Sequence, residues 1–309
     1  MKRITGTFLD EITYDIPSQN WGREEWRLEF DAMRAAGIDT VIIIRPVYRD
    51  RCAYPSELFG NRHAPDLCQL FLDQAQRCGM KLFMGSYESG DFYKPLDEYW
   101  ASLWEMAPKV IRELDRRYGD HPAFHGWYIS PEPVCDQPGV SDIFQRYGGL
   151  MRELRPDKPR LISPIFPSEM FAADAKEDRH RKFVENWDRL FSETAGLIDI
   201  CAFQDGTATP RPALDPLFEL EDFVRETSEV CRRHAVACWN NIETFSRGFP
   251  YKFPPLDWPI LKEKMALADP YVEKHITFEF SHFLSPNSTS PAARNLFKRY
   301  CEEIIGADA

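Results

Sequence analysis

Two carboxylates stand where apolar runs of the chain give out. The stretch Phe124–Pro133, FHGWYISPEP, begins like a strand buried on both faces and ends in Ser130-Pro131-Glu132-Pro133. Neither proline can donate to a sheet ladder, so the strand stops there and Glu132 stands just past its C-terminal end. The stretch Val236–Glu243, VACWNNIE, has the same form, with Glu243 closing it. Two carboxyl groups facing a polar, aromatic-lined cleft can cleave a glycosidic bond. One protonates the departing oxygen, and the other attacks the anomeric carbon or activates a water. A strand-end Glu can instead cap the next helix or pair with an Arg, so the elements that carry these groups have to decide.

Those elements alternate. Short apolar strands are expected at Ile4–Leu9, Thr40–Arg45, Lys81–Tyr87, Phe124 onward, Arg160–Phe166, Leu197–Phe203, Val236–Asn241 and His275–Phe280. Between and after them, helical spacing covers Glu24–Ala36, Asp66–Cys78, Leu96–Tyr118, Ser141–Leu154, Arg179–Ala195, Leu217–His234, Trp258–Ala268 and Pro291–Ile304. Pro108 is expected to kink the third helix or to start a second one there. Loops are expected between Arg45 and Asp66, and in the proline-rich stretch after Gly206. Eight strands alternating with eight helices predict an α/β protein, a single (β/α)8 TIM barrel spanning residues 1–309 as one domain. A doubly wound open sheet ranks second, because no glycine-rich first turn follows Leu9.

In such a barrel the C-terminal strand ends share one bowl. The residues placed there are Asp10, Glu11, Arg45, Tyr87, Glu88, Glu132, Gln204, Asp205, Asn241, Glu243, Glu279 and His282. Trp239 joins them among the loop aromatics Trp21, Tyr48, Tyr54, Phe245, Phe249, Tyr251 and Trp258, of which two or three are expected to line the cleft. Trp127 and Trp187 read as core. The types present exclude several chemistries. There is no GxSxG elbow, and Cys135 and Cys238 have no evident His partner. The seven His form neither HxH nor HExxH, and no glycine-rich loop or basic cluster suits a phosphate. A hard cation held by three or more of Glu88, Glu132, Asp205, Glu243 and Glu279 stays open as an alternative, an isomerase or lyase acting on a small sugar or acid. No metal or cofactor is assigned.

The layout resembles the clan-A TIM-barrel glycoside hydrolases, as an outlying branch of unassigned function. Their acid/base Glu ends strand four and their nucleophile Glu ends strand seven. The resemblance rests on Pro131-Glu132-Pro133, on Glu243, and on Arg45 in IIIRP at the end of the second strand. Members commonly read Asn-Glu-Pro at the first site, and here Pro131 replaces the Asn that would contact the sugar 2-hydroxyl. The resemblance implies Glu132 as acid/base and Glu243 as nucleophile, acting by retention on an oligosaccharide or polysaccharide. Glu279, between Phe278 and Phe280, is the rival partner for Glu132. Asn240 and Asn241 would bind sugar hydroxyls or form a turn. Arg45 would orient Glu243 or pair with a neighbouring acid. A non-catalytic carbohydrate-binding barrel is the further alternative, favoured by the missing Asn.

Composition bounds the partners. Thirty-eight basic against 49 acidic residues give a formal charge of −11, which repels phosphate backbones and makes nucleic acid an unsuitable partner. No apolar run reaches the ~18 residues of a membrane span. Eight scattered cysteines without CxxC spacing read as buried small hydrophobes of a reducing compartment. With no signal-peptide pattern after Met1, a cytoplasmic location is expected if Met1 is the native start. Oligomeric state is not legible.

Overall fold

The structure is a computed structural model that describes all residues except 14, 15, 17, 64, 166–175, 207–216, 218, 247–252 and 307–309. Eight parallel strands close into a barrel. They are β1 (Ile4–Leu9), β2 (Thr40–Ile43), β3 (Lys81–Met84), β4 (Phe124–Tyr128), β5 (Arg160–Ile162), β6 (Ile200–Gln204), β7 (Ala237–Glu243) and β8 (Lys274–Phe278). Each pairs with its chain neighbour, and β1 pairs with β8 to shut the ring. Around them run α1 (Arg23–Ala35), α2 (Leu67–Cys78), α3 (Leu96–Tyr118), α4 (Val140–Leu154), α5 (Lys176–Glu193), α6 (Leu220–Arg233), α7 (Trp258–Ala268) and α8 (Pro291–Tyr300). This is the (β/α)8 barrel expected from the alternation.

Strand parity builds two apolar layers, because successive strand side chains point to opposite faces. Inward residues Phe8, Ile42, Phe83, Tyr128, Leu161, Ile200, Ala202 and Ile276 fill the barrel. A larger core, including Trp127 and Trp187, lies between strands and helices. The interior is full. A Cβ on Gly126 would come within 2.6 Å of the Phe83 ring and 2.5 Å of the Pro159 carbonyl oxygen. The eight thiols are free, and six are buried.

The structure departs from expectation where elements are very short. The loop after β2 carries two-residue strands at Val47–Tyr48, Arg51–Cys52 and Asn61–Arg62, and Tyr87–Glu88 joins them as a four-stranded side sheet. Tyr87 therefore leaves the barrel instead of ending β3. Helix α3 runs unbroken through Pro108, so no second helix starts there. β8 stops at Phe278, and Phe280–Phe283 turns into a one-turn helix whose Phe280 N–H donates to Thr7 Oγ1 (2.9 Å). After Tyr300 the last helix passes into a π-turn, Cys301–Ile305. Phe166 and the proline-rich stretch 207–216 lie outside the described residues.

Candidate active site

The ends of β1, β2, β4, β6 and β7 bring Asp10, Arg45, Glu132, Gln204, Asn241 and Glu243 to one pocket. Strand parity explains the last two. Trp239, Asn241 and Glu243 alternate toward the barrel axis, while Cys238 and Ile242 face the helix layer. Apolar lining comes from Ile16, Ile44, Phe245, Phe253 and Phe278, with Thr13 beside them. Phe245 packs edge-on against Phe253 and Phe278, at ring-centre distances of 5.1 and 5.8 Å. Of the described loop aromatics named from sequence, Trp239 faces the barrel axis and only Phe245 lines the pocket. Phe249 and Tyr251 lie outside the described residues.

Glu132 is hydrogen-bonded at one oxygen and faces a charge with the other. The Tyr128 hydroxyl donates to Oε1 at 2.6 Å, and an Arg45 guanidinium nitrogen lies 3.7 Å from Oε2. Its side chain is 18% exposed. Burial pushes the Glu132 carboxyl above the ordinary range, against the pull of Arg45 and of hydrogen bonds from Tyr128 and Gln204. Asp10 is raised in the same way by burial, which Arg45 and the Thr13 and Ile12 donors oppose. Asp10 Oδ1 accepts the backbone N–H of Thr13 (3.0 Å) and of Ile12 (3.2 Å), which shapes the turn after β1. Asn241 Nδ2 donates to Ser163 Oγ (3.0 Å), and Gln204 Nε2 to the Ser163 carbonyl (2.9 Å). The backbone of Glu243 is fixed from below, where Lys264 Nζ donates to its carbonyl at 2.6 Å.

The other expected site residues are held elsewhere. Asp205 forms an ion pair with Lys264 (2.8 Å), both side chains being 0% exposed, and so belongs to the wall beneath Glu243. Glu88 accepts from Tyr99 Oη and Gly90 N–H, at 2.9 Å each, and burial raises its carboxyl to about 7. Tyr87 stacks on Phe59 in the side sheet. Trp239 packs edge-on to Phe83 inside the barrel, 5.1 Å from the Lys274 ammonium, below the pocket. Glu279 is fully buried. It accepts the Asp10 N–H (3.1 Å) and contacts His282 Nδ1, whose Nε2 lies 3.5 Å from Glu11. Glu11, Glu279 and His282 thus form a separate polar cluster beside β1. The peptide between Phe278 and Glu279 is cis.

Sequence reasoning missed Tyr128, Thr13, Ile16, Phe253 and Lys264. Tyr128 had a signal, since it precedes Glu132 by four residues across a proline-stiffened turn. Lys264 had none, as a lysine within a helix reads as solvated. Among the described residues, no group of three or more His, Cys, Asp or Glu is arranged to hold a metal ion. No helix among them is long and apolar enough to cross a membrane.

The closed barrel with carboxylates at its C-terminal strand ends resembles the TIM-barrel glycoside hydrolases. The chain belongs to the family described as domain of unknown function DUF4434, which matches residues 4–290. A candidate alpha-L-fucosidase from Bacteroides thetaiotaomicron is 35% identical, with a TM-score of 0.86 over 97% of this chain and 92% of that one. The endo-beta-1,4-mannanase of Thermotoga petrophila superposes at a TM-score of 0.62 with 12% identity, over 97% of this chain and 76% of that one. The beta-galactosidase of Marinomonas ef1 gives 0.59 with 13% identity, over 99% and 60%. At such identities these two share the fold alone. No curated protein matches the sequence.

Proposed function

We propose that the protein is a glycoside hydrolase in which Glu132 exchanges the proton at the glycosidic oxygen and Glu243 acts at the anomeric carbon. The observation that carries this reading is the shared pocket, to which β4 and β7 each contribute one carboxylate beside Arg45, Gln204 and Asn241. A general acid must hold its proton near working pH, and burial moves Glu132 that way. The competing cation site draws on groups committed elsewhere. Glu88 is bound to Tyr99, Asp205 to Lys264, and Glu279 to His282.

In the proposed reaction the bond from the anomeric carbon to the leaving oxygen breaks as Glu132 delivers its proton to that oxygen. Glu243 bonds to the anomeric carbon, and water deprotonated by Glu132 then displaces it with net retention. The substrate is an oligosaccharide or polysaccharide, the 309 residues act as one catalytic barrel, and the free thiols fit a cytoplasmic location. Because the 35% identical Bacteroides protein is described as an alpha-L-fucosidase candidate, alpha-L-fucosides head the substrate panel.

The test is turnover of an aryl and alkyl glycoside panel. Glu132→Gln should lower kcat/KM for alkyl glycosides by about 10²–10⁴-fold, with a far smaller loss for dinitrophenyl leaving groups that need no proton. Glu243→Gln should abolish turnover of both, and NMR should show the retained anomer forming first. An inverted first product would make Glu243 a base instead of a nucleophile. Tight sugar binding without turnover of any glycoside would replace the enzyme with a carbohydrate-binding barrel.

A further inference from the structure

Tyr128 closes β4 and is wholly buried, yet its hydroxyl points at the one carboxylate in the pocket that is expected to move a proton. The contact is short, 2.6 Å from Tyr Oη to Glu132 Oε1. The ring cannot swing away, because it packs edge-on against Phe8 at 5.1 Å inside a filled barrel. Burial and the adjacent carboxylate drive the phenol well above its ordinary range, so it stays a donor through neutral pH. The second oxygen, Oε2, is held differently. Arg45 lies 3.7 Å away, beyond hydrogen-bond distance, and its charge also faces Asp10 and Glu88.

We infer that Tyr128 is a positioning residue that pins the Oε1 edge of Glu132 and leaves Oε2 to exchange the proton with substrate. The inference rests on the acid/base reading of Glu132. A carboxyl free to rotate would present either oxygen to the leaving group. One oxygen fixed to a rigid donor presents the same oxygen each time, which is the preorganisation that proton transfer in a transition state rewards. The same bond has a second effect. An acid/base group must lose its proton and regain it within one turnover, and burial pushes Glu132 toward its protonated form. The Tyr128 hydroxyl stabilises the carboxylate form, as do Arg45 and Gln204, while Asp10 and Glu88 oppose it. Glu243 lines the same pocket and completes the charged groups facing it.

The experiment has two readouts, only one of which needs turnover. The Glu132 carboxyl resonance is followed against pH in protein labelled with 13C-glutamate, with Glu132→Gln identifying the signal. Tyr128→Phe keeps the ring and removes the donor, and should move that titration up by about one pH unit. Site-specific 3,5-difluorotyrosine at position 128 makes a stronger donor without changing shape, and should move it down. The alkaline limb of kcat/KM should follow both shifts in the same directions, with KM changing little. In Tyr128→Phe, turnover limited by the water step should recover as pH is raised.

A Glu132 titration unchanged in both variants overturns the inference, as does a shift of the same sign in both. If the titration moves as expected but the wild type turns over no glycoside, the Tyr128 contact stands and the hydrolase reading fails. The difluorotyrosine protein keeps the test decisive should Tyr128→Phe fold poorly.

Discussion

At the residue scale the sharpest question is which carboxylate partners Glu132. From sequence, Glu243 and Glu279 compete, since both close a strand. They end up in different surroundings. Glu243 lines the pocket. Glu279 is fully buried, with Oε2 accepting the Asp10 N–H and Oε1 against His282. Its task is to tie β1 to the turn after β8. Glu279→Gln keeps the shape but weakens the contact with His282 and strands part of a buried cluster. It should lower stability by about 1–3 kcal/mol while kcat/KM stays within roughly tenfold of wild type, well short of the loss in a general acid/base knockout. Denaturant melts and steady-state kinetics on the best glycoside check this. A loss of turnover as complete as in Glu243→Gln would restore Glu279 as the catalytic partner.

At the element scale, β6 and β7 are locked to α7 by a buried charge pair. Lys264 and Asp205 are 0% exposed and 2.8 Å apart, and the same ammonium donates to the carbonyl of Glu243. Such a pair is a weak source of net stability, but removing one member leaves an uncompensated buried charge. Lys264→Met should therefore cost about 3–5 kcal/mol in a denaturant melt, and Lys264→Met with Asp205→Asn should recover much of that. A cost under about 1 kcal/mol in the single variant would mean that Asp205 finds another donor or water. The pair also marks where sequence reading stops. The strand ends that carry Glu132, Glu243, Arg45, Asp10, Gln204 and Asn241 were legible, because an apolar run followed by a polar residue signals both the strand and its terminus. Depth along a strand was not. Trp239 has the parity of Asn241 and Glu243 but sits one step lower, where the barrel packs it against Phe83. The strands at Val47–Tyr48, Arg51–Cys52 and Asn61–Arg62 are too short to show a period of two, so their side sheet and the place of Tyr87 in it were hidden.

At the scale of the whole molecule, the closed barrel was legible because eight alternations leave few other ways to bury every strand on both faces. What the alternation does not announce is how many acids the fold buries deeply enough to hold their protons. Glu11 beside β1, Glu29 on α1 and Glu88 in the side sheet are each raised by burial to about 7. Between the unfolded value near ~4.3 and about 7 the native state binds more protons than the unfolded chain. These groups therefore contribute stability that is fully present below ~4.3 and lost as pH rises through about 7. His125 and His275 act oppositely, since burial lowers both and stability gained from them rises with pH up to ~6.5. With Glu132 and Asp10 raised in the same sense, the carboxyls outweigh the two imidazoles, so the melting temperature should fall from pH 6 to pH 8. Glu29 isolates the effect, because its Oε2 accepts from Ser285 Oγ (2.7 Å) and Asn287 Nδ2 (2.8 Å), contacts that a glutamine oxygen can keep. Glu29→Gln should match wild type within about 0.5 kcal/mol at pH 5 and exceed it by roughly 2–3 kcal/mol at pH 8, since each tenfold change in proton affinity is worth ~1.4 kcal/mol. Paired denaturant melts at the two pH values measure the difference. An equal effect at both would mean that the Glu29 carboxyl is ionised in the folded protein throughout, with Ser285 and Asn287 supplying what burial takes away.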